Sequence, residues 1–236
     1  MTDILLASIQ VSLPKHLGTE GAVDPMDRPW TSSIYKEPVA GAVWLGTTNL
    51  QGDAQADLVH HGGPDKAVLA YSAAHYPGWR QRINRPELPF GAFGENFTIE
   101  GLTENDVCIG DTWQVGDEVV VQVSQPRQPC WKLARRWRIK TLALQVQQAG
   151  QTGWYFRVLR EGLVAADMPL RLLDRPYPEW TVKRANDVIH SQGVEVATTL
   201  ELAAIPLLAA SWRKTLLRRA EGQIPDSSKR LIGENA

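Results

Sequence analysis

From Ile4 to Asp174 the chain divides its apolar residues into eight short stretches, at 4–13, 39–46, 66–71, 95–102, 112–116, 118–125, 153–159 and 168–174, with turn-forming residues between them. A helix covering a core needs a 3.6-residue periodicity sustained over about ten residues or more. These stretches do not supply it, and they read as strands. "TWQVG" and "EVVVQVSQ" meet at Val-Gly-Asp-Glu (115–118), the turn signal of a hairpin. "GWYFRVL", the Glu161-Gly162 turn and "MPLRLLD" read as a second hairpin. Strands this short and this numerous point to a barrel or sandwich and not to a βαβ sheet.

Two helices are expected to interrupt them. One covers about 72–84, against the opposing signals of Pro77 and Gly78. The other covers about 130–148 and stops at Gly150. After the proline-rich "DRPYPEW" (174–180) the pattern changes, and three short helices follow, the last with a basic run of Arg213, Lys214, Arg218 and Arg219. The remaining "IPDSSKRLIGENA" is polar and is expected to fray. The expected fold is therefore mixed and mainly β. A β-barrel-like domain with interspersed helices takes 1–175, and a three-helix subdomain with its tail takes 176–236.

A net charge of −1 provides no global field for nucleic acid. The apolar stretch near the start is too short to cross a bilayer and lacks a basic lead, so a cytoplasmic chain without membrane or nucleic-acid partners is expected. Its two cysteines, Cys108 and Cys130, are then expected to be free thiols.

Three clusters carry chemistry. In "SQPRQPCWKL" (124–133), Cys130 follows Pro129 near the expected helix start, with Arg127 and Lys132 close by. A helix N-terminus and neighbouring cations favour the thiolate, the form that attacks or binds soft metals. On these ten residues alone, a half-buried thiol packed on Trp131 is an equally good reading. In "HHGGPDKAV" (60–68), Gly62, Gly63 and Pro64 define a tight loop whose N–H groups suit an anion, and Lys66 adds a point charge. A zinc site at His60 and His61 would need further ligands, and no spaced His/Cys pair supplies them. In "FGENFTIEGL" (93–102), Asn96 offers amide donors and an acceptor, or simply starts a strand. Together the clusters suit an anionic ligand carrying a soft or high-valent metal.

The order and spacing of these three motifs, with "GWYFRVL" and the helices after 176, resemble the MOSC domain, named after the C-terminal region of molybdenum cofactor sulfurase. The match is to its stand-alone bacterial branch with a three-helix extension, over roughly residues 30 to 222. The resemblance implies a barrel-like fold that binds the molybdenum cofactor, a pterin dithiolene with a terminal phosphate. It makes Cys130 the protein ligand to molybdenum and a catalytic residue. His61, Gly62, Gly63 and Asn96 would line the pocket, with Lys66 and Arg127 as its cations. Asp65 joins the catalytic candidates, or caps its turn. Cys108 falls in a variable place and is not expected to bind metal.

The activity implied is two-electron reduction of N-hydroxylated compounds such as 6-hydroxylaminopurine. There is no flavin fingerprint and no cysteine cluster for iron–sulfur binding, so electrons would come from a separate reductase. The three-helix extension is a candidate docking face for it, or a solvated surface. Two alternatives stay open: a cofactor carrier or sulfur-delivery module without turnover, and a metal-free cysteine hydrolase or transferase that pairs Cys130 with His60 or His61.

Overall fold

The structure, a computed structural model, describes residues 3–58, 61–223, 226–233 and 235. Its strands are β1 (Leu5–Val11), β2 (Lys15–Leu17), β3 (Trp30–Ser32), β4 (Glu37–Pro38), β5 (Val43–Leu45) and β6 (Val68–Ser72), followed by β7 (Phe97–Glu100), β8 (Thr112–Val115), β9 (Val119–Pro126), β10 (Trp154–Arg160), β11 (Gly162–Val164) and β12 (Leu170–Asp174). Eight of them form one sheet in the order β12-β8-β9-β10-β6-β7-β1-β4, antiparallel except for the β6–β7 pair. A bridge from Leu5 to Pro169 brings β1 against the start of β12, so opposite ends of the order meet and the sheet curls into a half-barrel. The mixed, mainly β reading holds.

The β8–β9 hairpin forms as expected, with Val115 opposite Val119. The second expected hairpin does not. β10 lies between β9 and β6, β11 leaves to pair with β5, and β12 pairs with β8. Local turn chemistry marked the bend at Glu161-Gly162, but partners are selected by long-range packing.

Alternation along the central strands separates two apolar clusters. Val68, Ala70, Val121, Val123, Trp154 and Phe156 face the barrel core. Tyr71 belongs to a second cluster on the opposite face, with Trp79, Phe93, Leu133 and Val146. Between those clusters, on the second face, lies the candidate site.

The helices are α1 (Tyr76–Arg82), α2 (Lys132–Trp137), α3 (Leu142–Ala149), α4 (Val182–His190), α5 (Val196–Ala203), α6 (Ala210–Ala220) and α7 (Ser228–Leu231). Pro77 stands in the first turn of α1, where its missing N–H costs nothing, so it starts that helix instead of breaking it. The expected helix over 130–148 is two helices. Arg138 takes a left-handed conformation (φ 59°) and ends α2 after six residues, before Thr141 precedes α3. No Gly or Pro signals that break.

Helices α4, α5 and α6 follow the proline-rich stretch as expected, α4 capped by the Thr181 hydroxyl accepting from Arg184 N at 3.0 Å. Their buried Val182, Ala185, Leu202, Trp212 and Leu216, with Leu208 from the α5–α6 connection, join the barrel's own core cluster. The segment expected to fray does not hang free. Residues 226–233 and 235 fold back, with Leu231 buried, onto the loop that carries Cys130.

Candidate functional site

The floor of the site, formed by Tyr155 and Leu69, belongs to one row of residues across three neighbouring strands. Gln125, Tyr155 and Leu69 stand opposite one another on β9, β10 and β6. Asn96, beside β6, donates its backbone N–H to Leu69 O at 2.8 Å. A β-bulge at Ser124 makes this row possible: Phe156 faces Val123, while Tyr155 faces Gln125. The extra residue reverses the alternation of β9, so positions beyond it leave the core face. Arg127 thereby turns toward the site instead of into the barrel. The Ser124 hydroxyl secures the bulge by donating to Asp65 O (2.6 Å) and Tyr155 O (3.1 Å).

Around that floor, loops 32–36, 53–56, 61–66, 93–94 and 130–132 enclose about 620 Å³, part of it open to solvent. Its walls carry the cations Lys36, Lys66, Arg127 and Lys132, one carboxylate (Asp53), and Cys130. Asp53 is already engaged: it pairs with Lys36 and accepts from Ser12 N and from the Asn96 amide (2.9 Å). The pocket therefore presents a cationic lining to anything that enters it. Arg127 is 5% exposed; its Nη2 donates to Phe93 O at 2.8 Å, while Nη1 is buried with no protein acceptor. The Ser33 hydroxyl is likewise buried and unpartnered. Buried polar groups without partners cost about 1–3 kcal/mol each, and these two belong to residues that line the pocket.

Of the residues singled out from sequence, Cys130, His61, Lys66, Asn96 and Arg127 converge on this pocket. Asn96 does so with its amide engaged, since Nδ2 donates to Gln10 O and Asp53 and Oδ1 accepts from Leu69 N. It braces the wall instead of presenting a free edge. Asp65 lies outside the lining, and its carboxylate accepts from Arg157 Nε at 2.8 Å. That pair anchors loop 61–66 to β10, a positioning task in place of the catalytic one expected. Gly62 packs against the Leu58 backbone, and Gly63 (φ 95°) enters the Pro64–Lys66 turn; neither lines the cavity. The amides of His61 and Lys66 bond Asp57 O and Gly63 O, so at these positions side chains reach the pocket. His60 lies outside the described residues. Cys130 precedes a helix of only six residues, and Pro129 is not in its first turn, so the helix start expected at the cysteine falls at Lys132 instead. Cys108 is buried, its thiol donating to Pro178 O at 3.4 Å, and both thiols are free.

Sequence reasoning missed Ser33 and Lys36, which lie in no motif, gave Tyr155 no role within "GWYFRVL", and read Asp53 as part of a turn signal. It also passed over Glu95. That fully buried carboxylate accepts from Gly91 N, Phe93 N and the Tyr76 hydroxyl, shaping the loop whose Phe93 carbonyl holds Arg127. Arg136 fastens the same wall through Gly91 O and Ile34 O.

Burial, with Lys132, Lys66 and Arg127 adding to it, drives the His61 pKa from 6.5 to about 3. Burial likewise raises Tyr155 to about 12. His61 is therefore a neutral imidazole at ordinary pH. Its folded pKa is depressed while the unfolded chain takes up the proton near 6.5, so stability falls as pH drops from 6.5 toward 3. For cofactor-free protein, the urea midpoint is expected to fall between about pH 7.5 and about pH 5, and to fall less in His61→Gln. Equal falls in both proteins would contradict the buried neutral imidazole.

A curled sheet with a thiol at the wall of a cationic pocket defines a barrel-type ligand-binding site. Residues 57–171 match the MOSC domain and residues 180–223 the YiiM-like, 3-alpha helix domain. The Uncharacterized protein YflK of Bacillus subtilis is 44% identical over 90% of this chain and 96% of its own. Protein YiiM of Escherichia coli is 39% identical, over 86% and 91%. The crystal structure of YiiM from Geobacillus stearothermophilus superposes with a TM-score of 0.75 at 37% identity, covering 92% of this chain and 99% of that one. The chain belongs to the MOSC domain family, in the form that carries a YiiM-like three-helix domain. A Gibberella moniliformis protein named Reductase is 37% identical over 75% of this chain, which spans 32% of that longer protein.

Proposed function

We propose that this protein binds the molybdenum cofactor through Cys130 and reduces N-hydroxylated compounds, N-hydroxylated nucleobases such as 6-hydroxylaminopurine among them. The observation that carries the reading is the pairing of a pocket-wall thiol with the orphaned, buried Nη1 of Arg127. Among the described residues no cluster of three His, Cys, Asp or Glu could hold a metal ion. A metal at Cys130 would thus take its other ligands from a cofactor, and a dithiolene supplies soft ones. Arg127, Lys66 and Lys132 would hold the terminal phosphate, and the Ser33 hydroxyl would meet a polar edge of the pterin.

When bound, the cofactor supplies two-electron reduction of an N–O bond: R–NH–OH, two electrons and two protons give R–NH2 and water. Neutral His61 and protonated Tyr155 line the place where those protons are needed, as hydrogen-bond groups to the leaving oxygen. The electrons would come from a separate reductase. The name Reductase, carried by a longer fungal relative, supports a redox reading. The basic α6 face is a docking candidate for that partner, and a cytoplasmic setting is part of the proposal; among the described residues no helix is long and apolar enough to cross a membrane.

The metal-free hydrolase reading loses ground here. The His61 imidazole, with a pKa of about 3, is too weak a base to take a thiol proton, while the other partner of that reading, His60, lies outside the described residues. Protein purified from a cofactor-making host is expected to reduce 6-hydroxylaminopurine with reduced dye, and protein from a cofactor-deficient host is not. Molybdenum without turnover would instead indicate the carrier or sulfur-delivery module.

A further inference from the structure

The loop bearing Cys130 is held on both sides by the last described residues. Trp131 donates its backbone N–H to Arg230 O at 2.8 Å, and Asn235 Nδ2 donates to Trp131 O at 3.2 Å. Arg230 reaches forward with Nη1 to Pro129 O at 2.5 Å and with Nη2 to Gln147 Oε1 at 2.7 Å. The backbone groups of both neighbours of Cys130 thus end on this one segment. Arg135 secures the far end, donating to Asn235 Oδ1 at 2.7 Å. Gly233 fits the segment onto the Trp131 indole so closely that a Cβ would lie 2.5 Å from the ring.

Nothing in a polar surface tail requires this. A tail docked only for stability needs no more than apolar burial, which Leu231 supplies here. This one adds hydrogen bonds to the carbonyl and amide groups next to one cysteine. We infer that residues 226–233 and 235 form a clamp for the Cys130 loop, with Arg230 as a positioning residue that sets where the thiol stands in the pocket. The inference rests on the proposed function only in giving Cys130 its task. The clamp itself is a property of the metal-free chain.

Two variants test it. Gly233→Ala drives a methyl into Trp131 and undocks the segment without touching the pocket, and Arg230→Gln removes the forward contacts alone. Hydrogen–deuterium exchange on cofactor-free protein is the first readout. The Trp131 amide is expected to exchange at least about tenfold faster in Gly233→Ala, with barrel-strand amides unchanged. The second readout is turnover per bound molybdenum. In both variants kcat is expected to fall about tenfold or more with KM nearly unchanged, since a misplaced reacting group lowers kcat more than it weakens binding. Arg230→Lys, which keeps the charge and one donor, is expected to fall between the parent and Arg230→Gln. An unchanged Trp131 amide in Gly233→Ala would show there is no clamp. A faster amide with undiminished kcat per molybdenum would show a tail that merely packs. If no form turns over, the functional reading fails, and the exchange arm still decides the clamp.

Discussion

Cys130→Ser is expected to leave the fold intact while molybdenum content and N-hydroxy reduction both fall at least about 100-fold. Losing even an outer partner of a metal ligand typically costs about 10–100-fold, and here the ligand itself is removed. A serine hydroxyl is a hard, largely protonated donor and cannot replace a thiolate toward a soft centre. The fold should not notice. Cys130 is only half-buried, and its loop is held by backbone bonds to Arg230 and Asn235, not by the sulfur. Metal analysis, dye-coupled turnover and a melting curve on the same preparation check all three parts. A variant that keeps stoichiometric metal would remove Cys130 from the role.

Arg127→Met separates binding from folding. A buried cation with an orphaned N–H is a poor contributor to stability, and an apolar side chain of similar volume is often neutral or better in its place. Leaving Phe93 O unpaired costs about 1 kcal/mol in return. The melting temperature is therefore expected to move by only a few degrees. Cofactor retention is expected to drop about 10–150-fold, the equivalent of about 1.5–3 kcal/mol for a charge-assisted hydrogen bond. Arg127→Lys should recover little of it, because a single ammonium cannot serve both Phe93 O and a phosphate with the fixed spacing of a guanidinium. Phosphate and molybdenum per mole of protein, read beside a melting curve, settle the matter. Collapse of the fold in Arg127→Met would mean that the guanidinium is structural.

Much of this site was legible because its chemistry lies in rare residue types. A cysteine after a proline-flanked arginine, a glycine-rich loop ending in lysine and an Asn at a strand start identified Cys130, Lys66, Arg127 and Asn96 before any fold was in hand, and the pocket gathers all four. What stayed hidden depends on geometry that no local pattern encodes. The bulge at Ser124 decides which face Arg127 uses, yet "QVSQPR" reads as unbroken alternation. Asp65 looked catalytic because it sits in the motif, and only the fold brings Arg157 from a distant strand to occupy it. Lys36 and Asp53 come from unremarkable loops and meet at Asn96 through tertiary packing. The left-handed Arg138 splits a helix that propensity alone would continue. The polar tail misled for a simpler reason: composition forecasts fraying, while hydrogen bonds to the backbone at Pro129 and Trp131 hold it down.

The central claim is that the sulfur of Cys130 is bonded to molybdenum. X-ray absorption at the molybdenum edge, on parent protein purified from a cofactor-making host and on whatever metal Cys130→Ser retains, tests it directly. The account predicts a sulfur scatterer in the parent beyond the dithiolene pair, lost in the variant. The same sulfur count in both, or a parent whose only sulfurs are those of the dithiolene, would contradict it.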